Sequence, residues 1–478
     1  MTQNPAFAGF TETRRLRQPM RIAKRKFERI QIPRVAVLVW NSVSPHSPIG
    51  MRHAPIDPQL FIENRHRLKR LLRPNSIALL NANDILPTNA DGSLRIVPNS
   101  DLFYLSGVEQ EESTLLLFPD ADDPSLREIL FLRETSDVIA VWEGHKLTKD
   151  EARQISGIKN IQWTSAFPPL LHRLMCEAEH VYLNANEHKR AGSAVQTREM
   201  RFVEEIRRQF PLHHYHRLAR LLHRLRIVKS RWEIDLLQQA CAITEAGFRR
   251  VARFTRPGVN ECEIEAEFIH EFTRRRATFA YSPIIAAGRN ACILHYIQND
   301  QPCRNGDLLL LDVGASYANY NSDLTRTIPV SGRFTPRQRR VYNAVLRVLR
   351  GLMAELSPAR RYKDWQKSAE AMIEKELVDL GLLTIRDLRK QGQDRASLKR
   401  YFMHGAGHPL GLDVHDVGFT TEPFAPGWVM TIEPGIYIPE EQMAVRLEND
   451  VLITETGVVD LMAKIPIEAD SIEELMHR

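Results

Sequence analysis

Short apolar runs alternate with amphipathic segments over the first half of the chain. The runs 35–40, Ser76–Asn81, 114–118, 129–132 and His180–Leu183 are too brief for buried helices and are bounded by turn-forming residues, so they predict strands. Between them, 61–72 and 149–155 place apolar residues at helical spacing. Strands alternating with helices predict an α/β layer domain. The proline-rich stretches 44–48 and 55–58 predict a loop crossing a sheet edge.

The pattern lengthens beyond a boundary near 215–228. Ser230-Arg-Trp-Glu233 is a capping box, and Ile234, Leu237, Cys241, Thr244 and Phe248 give the helix it opens one apolar stripe. Thr255-Arg-Pro-Gly258 ends that helix, and Asn260 caps a second one running to about Arg276. Residues 307–313 and 322–330 read as two strands joined by the polar turn 314–321, a hairpin. Helical stretches follow near 336–356 and 363–380, and no repeat of fixed period is visible. The expected organisation is a tail over 1–34, an α/β domain over 35–220 and a second domain over 225–478.

Length and composition fit that division. A chain of 478 residues exceeds one ordinary core, and 43% apolar with 26% charged residues is a globular balance. No apolar run approaches the ~20 residues that span a bilayer, so no membrane partner is expected. The net charge of +6 tempts a nucleic-acid reading, but residues 1–34 alone carry +7 and the rest −1. A neutral body excludes a nucleic-acid-binding class. The basic tail reads as a solvated arm, with a transit peptide or an arm on a neighbouring subunit as alternatives. It has no apolar core of the kind a secretory signal needs. Five cysteines without a CxxC pair argue against a disulfide framework and for a reducing, cytoplasmic setting.

The chemistry lies in the last third. Asp312 closes a run of four leucines, Asp323 precedes Leu-Thr-Arg-Thr, His408 ends His404-Gly-Ala-Gly-His408, Glu433 precedes Pro-Gly, and Glu448 follows Arg446-Leu. Each sits at a strand end or a glycine-rich turn, where a side chain is held rigidly. Burying four carboxylates together costs several kcal/mol per ion unless cations compensate. Oxygen donors without thiolate suit manganese, magnesium or calcium better than structural zinc. Four carboxylates and an imidazole are more than one ion needs, and two cations roughly 3.5–4 Å apart fit the count. Period-two alternation puts Asp323, Thr325 and Thr327 on one strand face, with Asp312 opposite, and sets Arg446 beside Glu448. An arginine there orients a carboxylate or holds substrate.

These segments, together with Cys292-Ile-Leu-His295-Tyr, His415-Asp and Glu433-Pro-Gly-Ile-Tyr437, resemble the pita-bread metallopeptidases, most closely the aminopeptidase P (Xaa-Pro aminopeptidase) group. Asn99-Ser-Asp101 with the residues to Gly107 is similar to that family's amino-terminal domain. The resemblance implies a creatinase-like α/β domain followed by a pita-bread catalytic domain. It implies a substrate peptide with proline second, and a homo-oligomer, dimer or tetramer. It implies two divalent metals, manganese first, with cobalt or zinc as options. Asp312 would ligate one metal, Asp323 and Glu448 would bridge both, and His408 and Glu433 would complete the other. A hydroxide between the metals would attack the scissile carbonyl. Glu433 would activate it, His415 would stabilise the tetrahedral intermediate or shuttle a proton, His295 and His404 would line the substrate pocket, and Tyr437 and Arg446 would orient ligands and substrate. Pro409, where the family often has an aromatic residue, bears on pocket shape. The short segment between Glu433 and Glu448 lacks the Gly-rich run frequent in the family before the last ligand, and neither departure removes a catalytic group.

Other motifs dissolve on inspection. His213-His-Tyr-His216 lacks carboxylate companions, Asn99-Ser-Asp101 reads as a turn, His270-Glu271 has Arg274 where a zincin needs histidine, and Gly405-Ala-Gly407 lacks a third glycine. Prolidase, an Xaa-Pro dipeptidase with the same ligands, is the nearest rival, and a non-catalytic binding protein on the same fold the more distant one.

Overall fold

The computed structural model of the protein describes residues 53–392, 394–418 and 421–477. The run 35–40 and the basic tail lie outside them. The first half is a six-stranded sheet in the order Asn160–Trp163, Glu128–Leu132, Thr114–Leu117, Ser76–Asn81, His180–Leu183, His214–Arg217. The middle three strands form an antiparallel meander, and the outer pairs run parallel. Alternation sends Ala78 and Leu80 into one core and Ile77 and Leu79 into the other. Both faces are therefore covered, which is why these strands read as unbroken apolar runs. Helix Gln59–Lys69 covers one face, and helices Phe167–Glu177 and Arg198–Gln209 cover the other.

The second half repeats one order of elements. Helices Arg231–Phe254 and Glu261–Arg274 precede an antiparallel sheet of Ile284–Ala287, Leu308–Val313 and Leu324–Pro329. Helices Pro336–Glu355 and Tyr362–Asp379 precede a second sheet of Val429–Ile432, Asn449–Thr454 and Gly457–Asp460, with the hairpin Gly435–Ile438/Met443–Arg446 beside it. The Ser230 and Asn260 capping boxes are both formed. Leu237, Cys241, Thr244 and Phe248 are buried as the stripe requires, while Ile234, one turn from the cap, is half-buried.

Two details differ from the sequence reading. The polar turn 314–321 folds into a small hairpin of its own, Ala315–Tyr317 against Tyr320–Asn321. Its Ala318 and Asn319 take left-handed conformations at the tip. Asp323 is not directly across from Asp312, because the ladder pairs Asp312 with Thr325. Asp323 sits just before that strand, and the two carboxylates meet diagonally.

Candidate metal centre

Five side chains from three sheets and one loop meet in one cluster. Asp312 ends the strand Leu308–Val313, Asp323 precedes its partner, Glu433 follows Val429–Ile432, and Glu448 lies between Met443–Arg446 and Asn449–Thr454. His408 comes from the loop before Val429–Ile432, anchored because its N–H donates to Thr431 Oγ1 at 3.0 Å and its carbonyl accepts from the Thr431 N–H at 2.8 Å. Gly407 lets that loop approach, since a Cβ there would stand 2.1 Å from the Thr431 carbonyl oxygen.

Donor atoms of Asp323, His408 and Glu448, all buried, lie within 4.8 Å of one another, and no other three such groups among the described residues do so. His408 Nε2 is 3.4 Å from Asp323 Oδ2 and 3.7 Å from Glu433 Oε1. Its Nδ1–H donates to the Pro409 carbonyl at 3.0 Å, which directs Nε2 at the carboxylates. Glu448 Oε2 accepts from Thr325 Oγ1 at 2.7 Å, while its Oε1 is buried without a hydrogen-bond partner. An orphaned carboxylate oxygen amid three other acids fits a ligand to a cation.

Protonation tells the same story. Burial, reinforced by neighbouring carboxylates, drives Glu448 well above the usual range, raises Asp312 against the pull of Arg446, and pushes Glu433 up to about 7. Burial would lower His408, but its hydrogen bond to Asp323 and the charge of Glu433 win and push it up to about 9. Without cations these groups bind protons more tightly than usual. With cations they would release them. The donor set is four carboxylates and one imidazole, so the residues fit a divalent cation pair of hard or borderline type.

A second ring of contacts aims the cluster. The Tyr281 hydroxyl donates to Asp312 Oδ1 and Asp323 Oδ1, each at 2.5 Å, so one proton is shared between two ligands. Asp450 Oδ2 accepts the Asp323 backbone N–H at 3.0 Å. Arg446 is 4% exposed and spans three groups. Its Nη2 donates to Asp312, its Nε to Thr325 Oγ1 at 3.1 Å and its Nη1 to the Tyr437 oxygen at 2.9 Å. The Tyr437 hydroxyl reaches His404 Nε2 at 2.8 Å, and His404 Nδ1–H donates to the Gly405 carbonyl at 2.8 Å. That relay fixes the His404 tautomer, and burial with the Arg446 charge pushes the imidazole down to about 3, holding it neutral. His415 packs edge-on to His408, ring centroids 4.3 Å apart, and burial with its cationic neighbours lowers it to about 4. His295 is exposed and makes no hydrogen bond among the described residues, although its charge reaches His404.

The remaining motifs find ordinary places. Asn99 caps the helix Ser100–Ser106, and Asp101 accepts from Arg226 and Asn184. His270 is exposed beside a Glu271 engaged by Arg274 and Arg275. His213 bonds the Met175 carbonyl. Sequence reasoning missed Tyr281, Asp450 and Arg190. None belongs to a motif, and only Asp450 carried a signal, two residues beyond Glu448.

A covered acidic cluster holding an orphaned oxygen, an imidazole aimed into it and a neutral histidine alongside suit a metal-dependent hydrolase, with a cavity lined by His408 and His415 for a substrate. Residues 235–455 match metallopeptidase family M24, and residues 61–182 match the aminopeptidase P amino-terminal domain. An Xaa-Pro aminopeptidase of Haemophilus influenzae is 34% identical over 437 residues, 89% of this chain and 98% of that protein. Solved aminopeptidase P structures from Escherichia coli (zinc-substituted, with product) and Pseudomonas aeruginosa superpose with a TM-score of 0.79 each, at 31% and 32% identity. They cover 89% and 88% of this chain, and the overlap takes in 99% and 98% of theirs. The chain belongs to the aminopeptidase P family of M24 metallopeptidases and is a metal-dependent aminopeptidase, with the family's amino-terminal domain ahead of a pita-bread catalytic domain. No helix among the described residues is long and apolar enough to cross a membrane.

Proposed function

We propose that the chain hydrolyses the first peptide bond of substrates with proline in second position, using two divalent cations, manganese by donor hardness. The observation that carries this reading is the buried Asp323–His408–Glu448 triangle with Asp312 and Glu433 at its margins. Asp312 would hold one cation, Asp323 and Glu448 both, and His408 and Glu433 the other. The cations would supply Lewis acidity and a water of lowered pKa. Glu433, 3.7 Å from His408 Nε2 at the edge of the cluster, would take the proton released by that water. His415, neutral and beside His408, is placed to donate to a developing oxyanion. His404, held by Tyr437, would line the pocket for the prolyl residue, with the exposed His295 beside it. Arg446 steadies Asp312 and Tyr437 together.

Helix Ala219–Arg226 spans the proposed division at 220–225, and the Ser230 cap opens the first long helix of the catalytic domain. The helix Asp137–Glu143 exposes Val138, Val141 and Trp142, an apolar face that another copy of the chain would cover in a homo-oligomer. All five cysteines are free, as a cytoplasmic protein requires.

The test is an assay of metal-stripped protein refilled with manganese, cobalt or zinc. Turnover of an Xaa-Pro-Xaa tripeptide is the expected result. Cleavage of Xaa-Pro dipeptides alone would make the chain a prolidase, and no turnover by any refilled form would refute the reading.

A further inference from the structure

Arg190 stands over the metal centre, on a segment that belongs to the other domain. It lies in the connection between strand His180–Leu183 and helix Arg198–Gln209. Its Nη1 donates to His415 Nδ1 at 2.8 Å, with Nε2 at 3.2 Å. Among the described residues its Nε and Nη2 have no acceptor. The segment is braced from within. His188 N–H donates to Asn186 Oδ1 at 3.1 Å, and Arg190 N–H donates to His188 Nδ1 at 3.2 Å.

The cavity here encloses about 400 Å³, with His408 and His415 lining it beside Lys189, Arg190, Arg217 and Arg220. Its acids are already committed. Glu187 is held by Arg217, and Asp416 by Arg226 and Lys229. Four ligand carboxylates against two dications would leave the centre itself near neutral, so Arg190 and Arg220 give this wall positive charge to present to substrate. A guanidinium with one edge on His415 and the other open has the fork geometry that carboxylates match. The volume suits a short peptide segment.

We infer that Arg190 is a specificity-determining residue whose open edge receives a carboxylate borne by the peptide, so that acidic substrates are preferred. The carboxylate is either the terminal one of a tripeptide or an acidic side chain flanking the scissile bond. The inference rests on the Xaa-Pro aminopeptidase reading.

Four peptides separate the cases in the manganese-loaded enzyme: Ala-Pro-Ala as free acid and as amide, and Ala-Pro-Glu and Glu-Pro-Ala as amides. A partly exposed ion pair with arginine is worth up to about fivefold in kcat/KM. At low salt the favoured acid should exceed the neutral amide by about that factor, and the ratio should shrink as salt screens it. Arg190→Gln should bring the ratio close to one, and Arg190→Lys should restore part of it. A merely structural loop residue would slow all four peptides alike and leave the ratio standing. An unchanged ratio in Arg190→Gln, or no preference in the wild type, overturns the inference while the aminopeptidase survives. Failure to cleave any of the four overturns both.

Discussion

Tyr281 and His408 carry most of the site's logic at the scale of single residues. One phenolic proton shared between Asp312 and Asp323 holds two like charges in fixed orientation, which no motif could announce. Removing it in Tyr281→Phe should weaken metal affinity or activity about 10–100-fold, as loss of an orienting partner typically does. Titration calorimetry on a folded variant checks this, and wild-type affinity would contradict it. The raised protonation equilibria give a pH dependence with a definite sign. Glu433 is held up to about 7 and His408 up to about 9, and both must be unprotonated to ligate. Cation binding should therefore release protons. Affinity should climb as pH rises towards 9 and fall as it drops through 7. Calorimetry in buffers of different ionisation enthalpy measures the release, and none near neutrality would count against the arrangement. Asp323→Ala should abolish both metal binding and turnover, whereas a binding module would keep its function.

Elements place the ligands by repetition. Two helices followed by three antiparallel strands occur twice, the first set carrying Asp312 and Asp323 and the second Glu433 and Glu448, with His408 on the loop leading into it. The closest approach in this framework is at Gly314, where a Cβ would stand 1.8 Å from the Ser322 carbonyl oxygen. Gly314→Ala must push the two ligand strands apart. It should cost about 1–3 kcal/mol and loosen metal binding, both visible in a melting curve with and without manganese. The strands Ser76–Asn81 and His180–Leu183 were legible because the sheet buries both of their faces, and the capping boxes because their side chains act locally. The ligands were legible as residues within motifs. Their neighbours were not, since Tyr281 reaches across 31 and 42 residues and Arg190 across 225. The edge strand His214–Arg217 escaped notice because its His-Tyr-His-Arg sequence has no apolar alternation.

Across the whole molecule, the amino-terminal sheet carries its own titrating group. Glu199 Oε1 accepts the Asn81 N–H at 2.9 Å, and Oε2 is buried without a partner. Burial, with Asp101 adding, pushes this carboxyl up to about 7. The folded chain thus binds the proton more tightly than the unfolded one. The stabilisation is full below the ordinary glutamate range and is lost as pH rises through 7. The loss is on the order of 3 kcal/mol. Glu199→Gln should flatten that slope in denaturant titrations across the window, and an unaltered slope would exclude Glu199 as its source. The apolar face of Asp137–Glu143 belongs to this scale too: Val141→Asp should lower the assembly state seen by sedimentation, and an unchanged state would contradict an interface there.

The account turns on crowded acids made tolerable by paired cations. Its most direct test is manganese titration of chelator-stripped protein, with turnover of an Xaa-Pro-Xaa peptide followed in the same samples. Two ions bound per chain, with activity returning as they bind, is the predicted result. Full activity in the stripped protein, or no stoichiometric binding at all, would contradict it.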